Sequence, residues 1–215
     1  MELSVALRPR PHDLLQLAPT TAILTEGSSN DAPAWAAHSL ARAPWVVVRH
    51  ARALPGRIPV GVRGATRAQR WATSVSRTDV IRIRTPEGLR AGDDRGCLPD
   101  VAATRALRVL AASLDHDWAC WGPTGIVGFS LATRQSAVSE TSDLDLLIRC
   151  PIRPPPGSLD RVARLFAEQQ ARVDCQVETP IGIAHLDDLR RDGPSLVRTA
   201  EGARLCADPW ALIES

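Results

Sequence analysis

Lysine and tyrosine are absent from this 215-residue chain, methionine occurs once and phenylalanine twice. With no lysine, every one of the 26 basic side chains is arginine, the residue that grips phosphate as a planar fork. No P-loop can be written without Lys, and Gly122, Gly125 and Gly128 are spaced G-x-x-G-x-x-G rather than as the dinucleotide fingerprint. The net charge of +2 is too mild for a sequence-independent nucleic-acid binder. No apolar run reaches membrane-spanning length, and the opening "MELSVALRPRPHD" has no apolar stretch behind a basic start. Five cysteines lie scattered with no C-x-x-C pair and no His at ligand spacing, which disfavours a zinc site or a disulfide framework. A cytoplasmic protein with reduced thiols is expected.

What is present falls into two parts. The first is punctuated by Pro and Gly and holds short β-branched runs at 21–24, 45–50, 57–64 and 79–84, read as strands. The segment "ATRAQRWATSV" at 65–75 reads as a short helix between the last two. A loop at 85–100 rich in Gly, Asp and Pro marks the boundary, giving a strand-rich N-terminal domain at 1–95 and a second domain at 96–215. Beyond it, Leu107, Leu110 and Leu114 line one face of a helix at 101–114. Two strands, "GIVGFSLAT" at 125–133 and "SDLDLLIRC" at 142–150, are expected next, followed by a helix with Ser158 as N-cap and an alternating strand "ARVDCQVET". A short helix near "AHLDDLRR" and a hairpin ending at Trp210 close an α+β chain.

The chemistry concentrates in "SETSDLDLLIRC", residues 139–150. Alternation along a strand puts Asp143 and Asp145 on one face and Leu144, Leu146 and Ile148 on the other. Two anions held together call for a cation, and an oxygen-only pair suits Mg²⁺. If the strand carrying Asp174 lies beside this one, three carboxylates converge, a geometry that serves in-line phosphoryl displacement. Glu178 shares the face of Asp174 and is the alternative third ligand. Gly122, Gly125 and Gly128 offer backbone that a polyphosphate can approach, and Ser142, Arg149, Arg63, Arg67 and Arg70 are candidate substrate contacts. No G-x-S-x-G elbow surrounds Ser130, Ser136 or Ser139, so a serine hydrolase is disfavoured. The five histidines stand singly and read as surface or supporting residues, while the Trp and Phe side chains read as packing.

"WGPTGIVGFSLATRQSAVSETSDLDLLIR", with "RPHDLLQL" at 10–17 and "RIPVGVRGATRAQRWA" at 57–72, resembles the malonate decarboxylase holo-acyl-carrier-protein synthase family, the phosphoribosyl-dephospho-coenzyme A transferases. The resemblance implies a C-terminal nucleotidyltransferase-like domain, a mixed β-sheet with flanking helices, behind a smaller N-terminal domain. It implies transfer of a phosphoribosyl-dephospho-CoA group from 2′-(5″-triphosphoribosyl)-3′-dephospho-CoA to a serine of the acyl-carrier subunit of malonate decarboxylase, with release of diphosphate. Mg²⁺ on Asp143 and Asp145, with Asp174 completing the site, would hold the triphosphate. Nucleotidyltransferases usually carry Gly-Ser in the turn before the D-x-D; Gly125 and Ile126 stand there here, leaving Thr124, Ser130 or backbone N–H groups to make that phosphate contact. Trp121 could line a base or pantetheine pocket. Two alternatives remain open: adenylylation of another protein or small molecule, and a degenerate domain that only binds a carrier or nucleotide.

Overall fold

The computed structural model describes residues 8–19, 32–66, 68–90, 96–118 and 120–211. The chain divides into two compact units, residues 1–84 and 85–215. The division falls earlier than the expected 95/96 because part of the presumed linker is a helix, α2 (Pro86–Arg90), that packs on the second unit's sheet.

In the first unit, β1 (Leu14–Leu17), β2 (Trp45–Val48), β3 (Arg57–Arg63), β4 (Arg70–Ser76) and β5 (Val80–Arg84) form one antiparallel sheet in the order β4-β3-β2-β1-β5. Strand β3 alternates as a half-buried strand should, sending Ile58, Val60 and Val62 inward against Leu15, Val46 and Val75. Each such side chain contributes about 1.5–3 kcal/mol on burial. Helix α1 (Ala34–Arg42), not expected from the sequence pattern, packs Ala36 and Trp35 onto this core.

The helix expected at 65–75 is instead the turn and second strand of a hairpin. Strand β4 pairs with β3 over its length, from Arg63 opposite Arg70 to Arg57 opposite Ser76. The Gln69 carboxamide closes the turn by accepting the N–H groups of Ala65 (2.8 Å) and Thr66 (3.3 Å). Trp71, Thr73 and Val75 are good strand formers, and Trp71 packs against the core that β3 presents. The expected strand at 21–24 lies outside the described residues.

The second unit holds α3 (Ala102–Asp117), β6 (Trp121–Pro123), α4 (Gly125–Thr133), β7 (Leu144–Arg149), α5 (Ser158–Ala167), β8 (Val173–Glu178), β9 (Ile183–His185), α6 (Leu186–Leu189), β10 (Ser195–Thr199) and β11 (Gly202–Cys206). Its sheet runs β11-β10-β9-β8-β7-β6; β7 and β8 are parallel, joined through α5, and every other pairing is antiparallel. Leu107, Leu110 and Leu114 are buried, as their spacing requires. The architecture is the expected α+β.

Residues 125–133 form a helix, not the expected strand. The run Ile126, Val127, Phe129, Leu131, Ala132 shows no alternation, and a short all-apolar segment carries no period to separate a buried helix from a buried strand. Backbone decides it: Gly125 enters at φ +57°, the Gly128 N–H donates to the Thr124 carbonyl at 2.8 Å, and Arg134 ends the helix in the left-handed region. Gly157, also left-handed, takes the N-cap place expected of Ser158, which is buried as the first residue of α5.

Candidate active site

Strands β7 and β8 start together. The Leu144 N–H donates to the Arg172 carbonyl at 2.9 Å, Leu144 lies beside Val173, and Asp145 lies beside Asp174. Neighbouring strands are about 4.8 Å apart, so the two carboxylates leave adjacent backbones on one face of the sheet. Both are partly exposed, whereas Leu144, Leu146, Cys175 and Val177 of the opposite face are buried. Asp143 immediately precedes β7, after a turn in which the Ser142 hydroxyl accepts the Ser139 N–H at 3.0 Å. Ser142 thereby orders the approach to the carboxylates.

The first turn of α4 meets the same point. Thr124 donates its N–H to the Asp145 carbonyl at 2.8 Å. A Cβ on Gly125 would overlap the Asp145 carboxylate, so only glycine fits there, and its positive φ imposes the same requirement. The Thr124 side chain makes no cap hydrogen bond. Ser130, the other candidate for the missing Gly-Ser hydroxyl, is fully buried and accepts the Ala137 N–H at 3.1 Å, which removes it from the site.

A residue that sequence reading set aside completes the arrangement. Asp174 Oδ1 is 2.7 Å from His185 Nε2. His185 Nδ1 accepts the Asp187 N–H at the start of α6, at 3.3 Å, which leaves Nε2 as the protonated nitrogen donating to Asp174. The signal was present in "IAHLDD" but needed the β8–β9 register, which sets His185 opposite Gln176, one strand away from Asp174. Arg172 was also passed over. It is exposed, sits beside the start of β7, and makes no side-chain ion pair or hydrogen bond among the described residues.

Several expected site residues do other work. Arg149 is buried at the far end of β7, donating from Nε to Glu87 Oε1 at 2.6 Å and from a terminal nitrogen to Glu178 Oε2. It holds α2 to the sheet through these pairs. The same pairing commits Glu178, so Asp174 alone stands beside Asp145. A Cβ on Gly122 would collide with the Pro86 carbonyl, and one on Gly128 would lie 2.6 Å from the Pro123 carbonyl, so both glycines are needed for close packing. Trp121 is fully buried with the Arg90 guanidinium 5.5 Å from its ring. Arg63 and Arg70 face each other across the β3–β4 hairpin of the first unit, and Arg67 lies outside the described residues. All five cysteines are free; burial pushes the Cys175 thiol far up, and the Cys150 thiol up, so neither is a nucleophile at neutral pH.

The donors at the site are carboxylate oxygens, which suit a hard cation. Among the described residues no three His, Cys, Asp or Glu side chains already surround one point, so the expected three-carboxylate convergence is not a ready-made cage. The donor set fits Mg²⁺ held by one or two carboxylates and completed by phosphate oxygens and water, the usual mode for that ion.

Two family models match the chain: the phosphoribosyl-dephospho-CoA transferase MdcG N-terminal domain over residues 10–86 and the MdcG C-terminal domain over residues 89–209. A phosphoribosyl-dephospho-CoA transferase of Pseudomonas aeruginosa is 39% identical over 208 residues, covering 96% of each chain. One from Klebsiella pneumoniae is 41% identical over 211 residues, covering 94% of this chain and 96% of its own. One from Azotobacter vinelandii is 40% identical over 215 residues, covering 95% of each. No solved structure matches. No helix among the described residues is long and apolar enough to cross a membrane. Both halves of the chain match consecutive domains of one family, and relatives match it end to end: the chain belongs to the phosphoribosyl-dephospho-CoA transferase family.

Proposed function

We propose that this protein is a cytoplasmic, Mg²⁺-dependent transferase that moves the phosphoribosyl-dephospho-CoA group of 2′-(5″-triphosphoribosyl)-3′-dephospho-CoA onto a serine of the acyl-carrier subunit of malonate decarboxylase. The reading takes the second unit as nucleotidyltransferase-like. The observation that carries it is the pairing of Asp145 with Asp174 at the start of two parallel strands, with Asp143 one step before and Gly125 against the carboxylate, in a chain of this family.

In the proposed reaction the carrier serine oxygen attacks the phosphorus bonded to the ribose 5″-oxygen. A new serine O–P bond forms, the bond to the bridging oxygen of the outer two phosphates breaks, and diphosphate leaves with its electron pair. Asp143 and Asp145 would hold Mg²⁺, which supplies charge neutralisation on the phosphates. Asp174 receives the serine proton; the His185 hydrogen bond orients the carboxylate for it. The Thr124 hydroxyl and the N–H groups of the first turn of α4 offer donors to phosphate oxygen in place of the absent serine.

The test is intact-mass spectrometry of the apo carrier subunit after incubation with the protein, Mg²⁺ and either the triphosphoribosyl donor or ATP. A gain equal to the phosphoribosyl-dephospho-CoA group is expected. A gain of AMP from ATP alone, or no gain from either donor, contradicts the proposal.

A further inference from the structure

Between Asp31 and Asp79 the chain carries eight arginines and no Asp or Glu, although this stretch supplies three of the five strands of the first unit. Residues 1–84 hold twelve arginines against five carboxylate side chains, and residues 85–215 hold fourteen against nineteen. Protein surfaces ordinarily intersperse both signs, so a run this one-sided points to an anionic partner. Four of these arginines gather at one end of the first sheet, where β2 finishes and β3 starts. Arg49 follows β2 and donates its N–H to the Pro59 carbonyl at 2.9 Å, and Arg52 lies in the connecting loop. Arg57 opens β3, and Arg77 follows β4, donating its N–H to the Gly56 carbonyl at 3.2 Å. Arg49, Arg52 and Arg77 are exposed and make no side-chain ion pair or hydrogen bond among the described residues. The Arg57 guanidinium donates to neutral groups, the Ser74 hydroxyl at 2.7 Å and the Ser74 carbonyl at 2.6 Å, so its charge also stands uncancelled.

The loop these arginines flank is held in shape. The Arg57 N–H closes on the Leu54 carbonyl at 3.1 Å across Pro55 and Gly56, whose φ of +71° suits the second central position of a type II turn. Leu54 stands at that tip with 64% of its surface exposed. An apolar tip with a cationic rim, ordered before anything binds, is the composition of a protein-docking surface. Resting on the transfer reaction proposed above, we infer that this end of the first unit docks an acidic surface of the protein that accepts the group. Every side chain assigned to the reaction belongs to the second unit. A specific protein–protein contact buries about 800 Å² on each partner, far more than a few catalytic side chains supply. Opposite charge across such a contact mainly speeds encounter and fixes orientation, which suits an enzyme that must meet a protein substrate and then release it. A single-stranded nucleic acid would instead call for exposed aromatic rings on which to stack its bases. The first unit offers none among its described residues: Trp45 is buried, and Trp35 and Trp71 pack on the core.

Arg49→Glu/Arg77→Glu reverses two of the four charges, and Arg198→Glu/Arg204→Glu, on exposed side chains of β10 and β11, makes the same change of net charge in the second unit. With the apo acyl-carrier subunit as the varied substrate, the first pair should raise KM for the carrier at least about tenfold, with kcat, donor KM and the urea midpoint close to wild type. Leu54→Ser should raise carrier KM about threefold, and the second pair should match wild type. The tenfold gap should shrink to about twofold at about 0.5 M salt, where charges are screened. Carrier KM unchanged in Arg49→Glu/Arg77→Glu, or raised equally by both pairs, overturns the docking assignment. A mixed-sequence DNA strand that binds wild type and not this variant, with carrier KM unchanged, assigns the surface to nucleic acid and overturns it as well. Titration calorimetry with the carrier alone separates the two levels. Carrier binding that weakens in Arg49→Glu/Arg77→Glu, without transfer by wild type, keeps the docking surface and removes the proposed chemistry; neither binding nor transfer removes both.

Discussion

Replacing Gly125 by alanine perturbs the site through two effects that a control can separate. The first is backbone strain: Gly125 sits at φ +57°, and an L-residue there costs about 1–2 kcal/mol. The second is steric, because the new methyl group would overlap the Asp145 carboxylate and force it away. Gly157 shares only the first effect. Its φ is +77° and the nearest atom to a Cβ there is the flexible end of Arg161 at 4.0 Å. Gly157→Ala should therefore lose about 1–2 kcal/mol in urea unfolding, and Gly125→Ala at least as much. Only Gly125→Ala should lose transfer, by about 100-fold, the order expected when a reacting group moves by an ångström. Wild-type transfer by Gly125→Ala, at a stability matching Gly157→Ala, would refute the placement of Asp145 in the reaction.

Other expectations follow from the same contacts. Arg149→Met removes a buried cation from two partly exposed carboxylates, Glu87 and Glu178, and should destabilise by about 1.5–3 kcal/mol in urea unfolding; a loss below about 0.5 kcal/mol would show that the triad does not hold α2 to the sheet. His185→Ala should lower kcat for transfer about tenfold with little change in KM, and His185→Gln, which keeps an N–H donor, should recover most of it; equal rates for all three proteins would exclude a role through Asp174. In the native protein at pH 7, iodoacetamide should modify exposed Cys120 well before Cys150 or Cys175, whose thiols burial keeps protonated; peptide mapping that finds Cys175 labelled first would contradict the packing.

The sequence carried the carboxylates and much of the framework because those features are periodic or local. Alternation in "RIPVGVR" and "VDCQVE" and the leucine spacing of α3 each specify one face, and each face is buried apart from Val173, which is half-buried. Where period failed, so did the reading. "GIVGFSLAT" is apolar throughout, and its helical state was decided by the φ of Gly125 and by burial on more than one side. "ATRAQRWATSV" mixes helix formers with strand formers, and its pairing with β3 overrode local preference. Within the site, Asp145 and Asp174 were legible as strand residues with charged faces, whereas their placement side by side depended on the parallel register of β7 and β8. The ion pairs of Arg149 were hidden for the opposite reason. A cation on the carboxylate-bearing face looks available until tertiary structure brings Glu87, 62 positions away in the chain, to meet it. His185 stayed hidden because a lone histidine has no pattern; only the fold supplies Asp174.

Asp145 is the carboxylate at which the start of α4, β7 and β8 come together. Its most direct test is the rate of phosphoribosyl-dephospho-CoA transfer to the apo carrier, read by intact mass, for wild type and Asp145→Asn at saturating donor and Mg²⁺, with urea unfolding of both proteins alongside. Wild type should transfer the group and stop on chelation of Mg²⁺, and Asp145→Asn should lose at least about 1,000-fold, about 4 kcal/mol of transition-state stabilisation, at unchanged stability. Transfer by Asp145→Asn at the wild-type rate would contradict the assignment of Asp145 to the reaction.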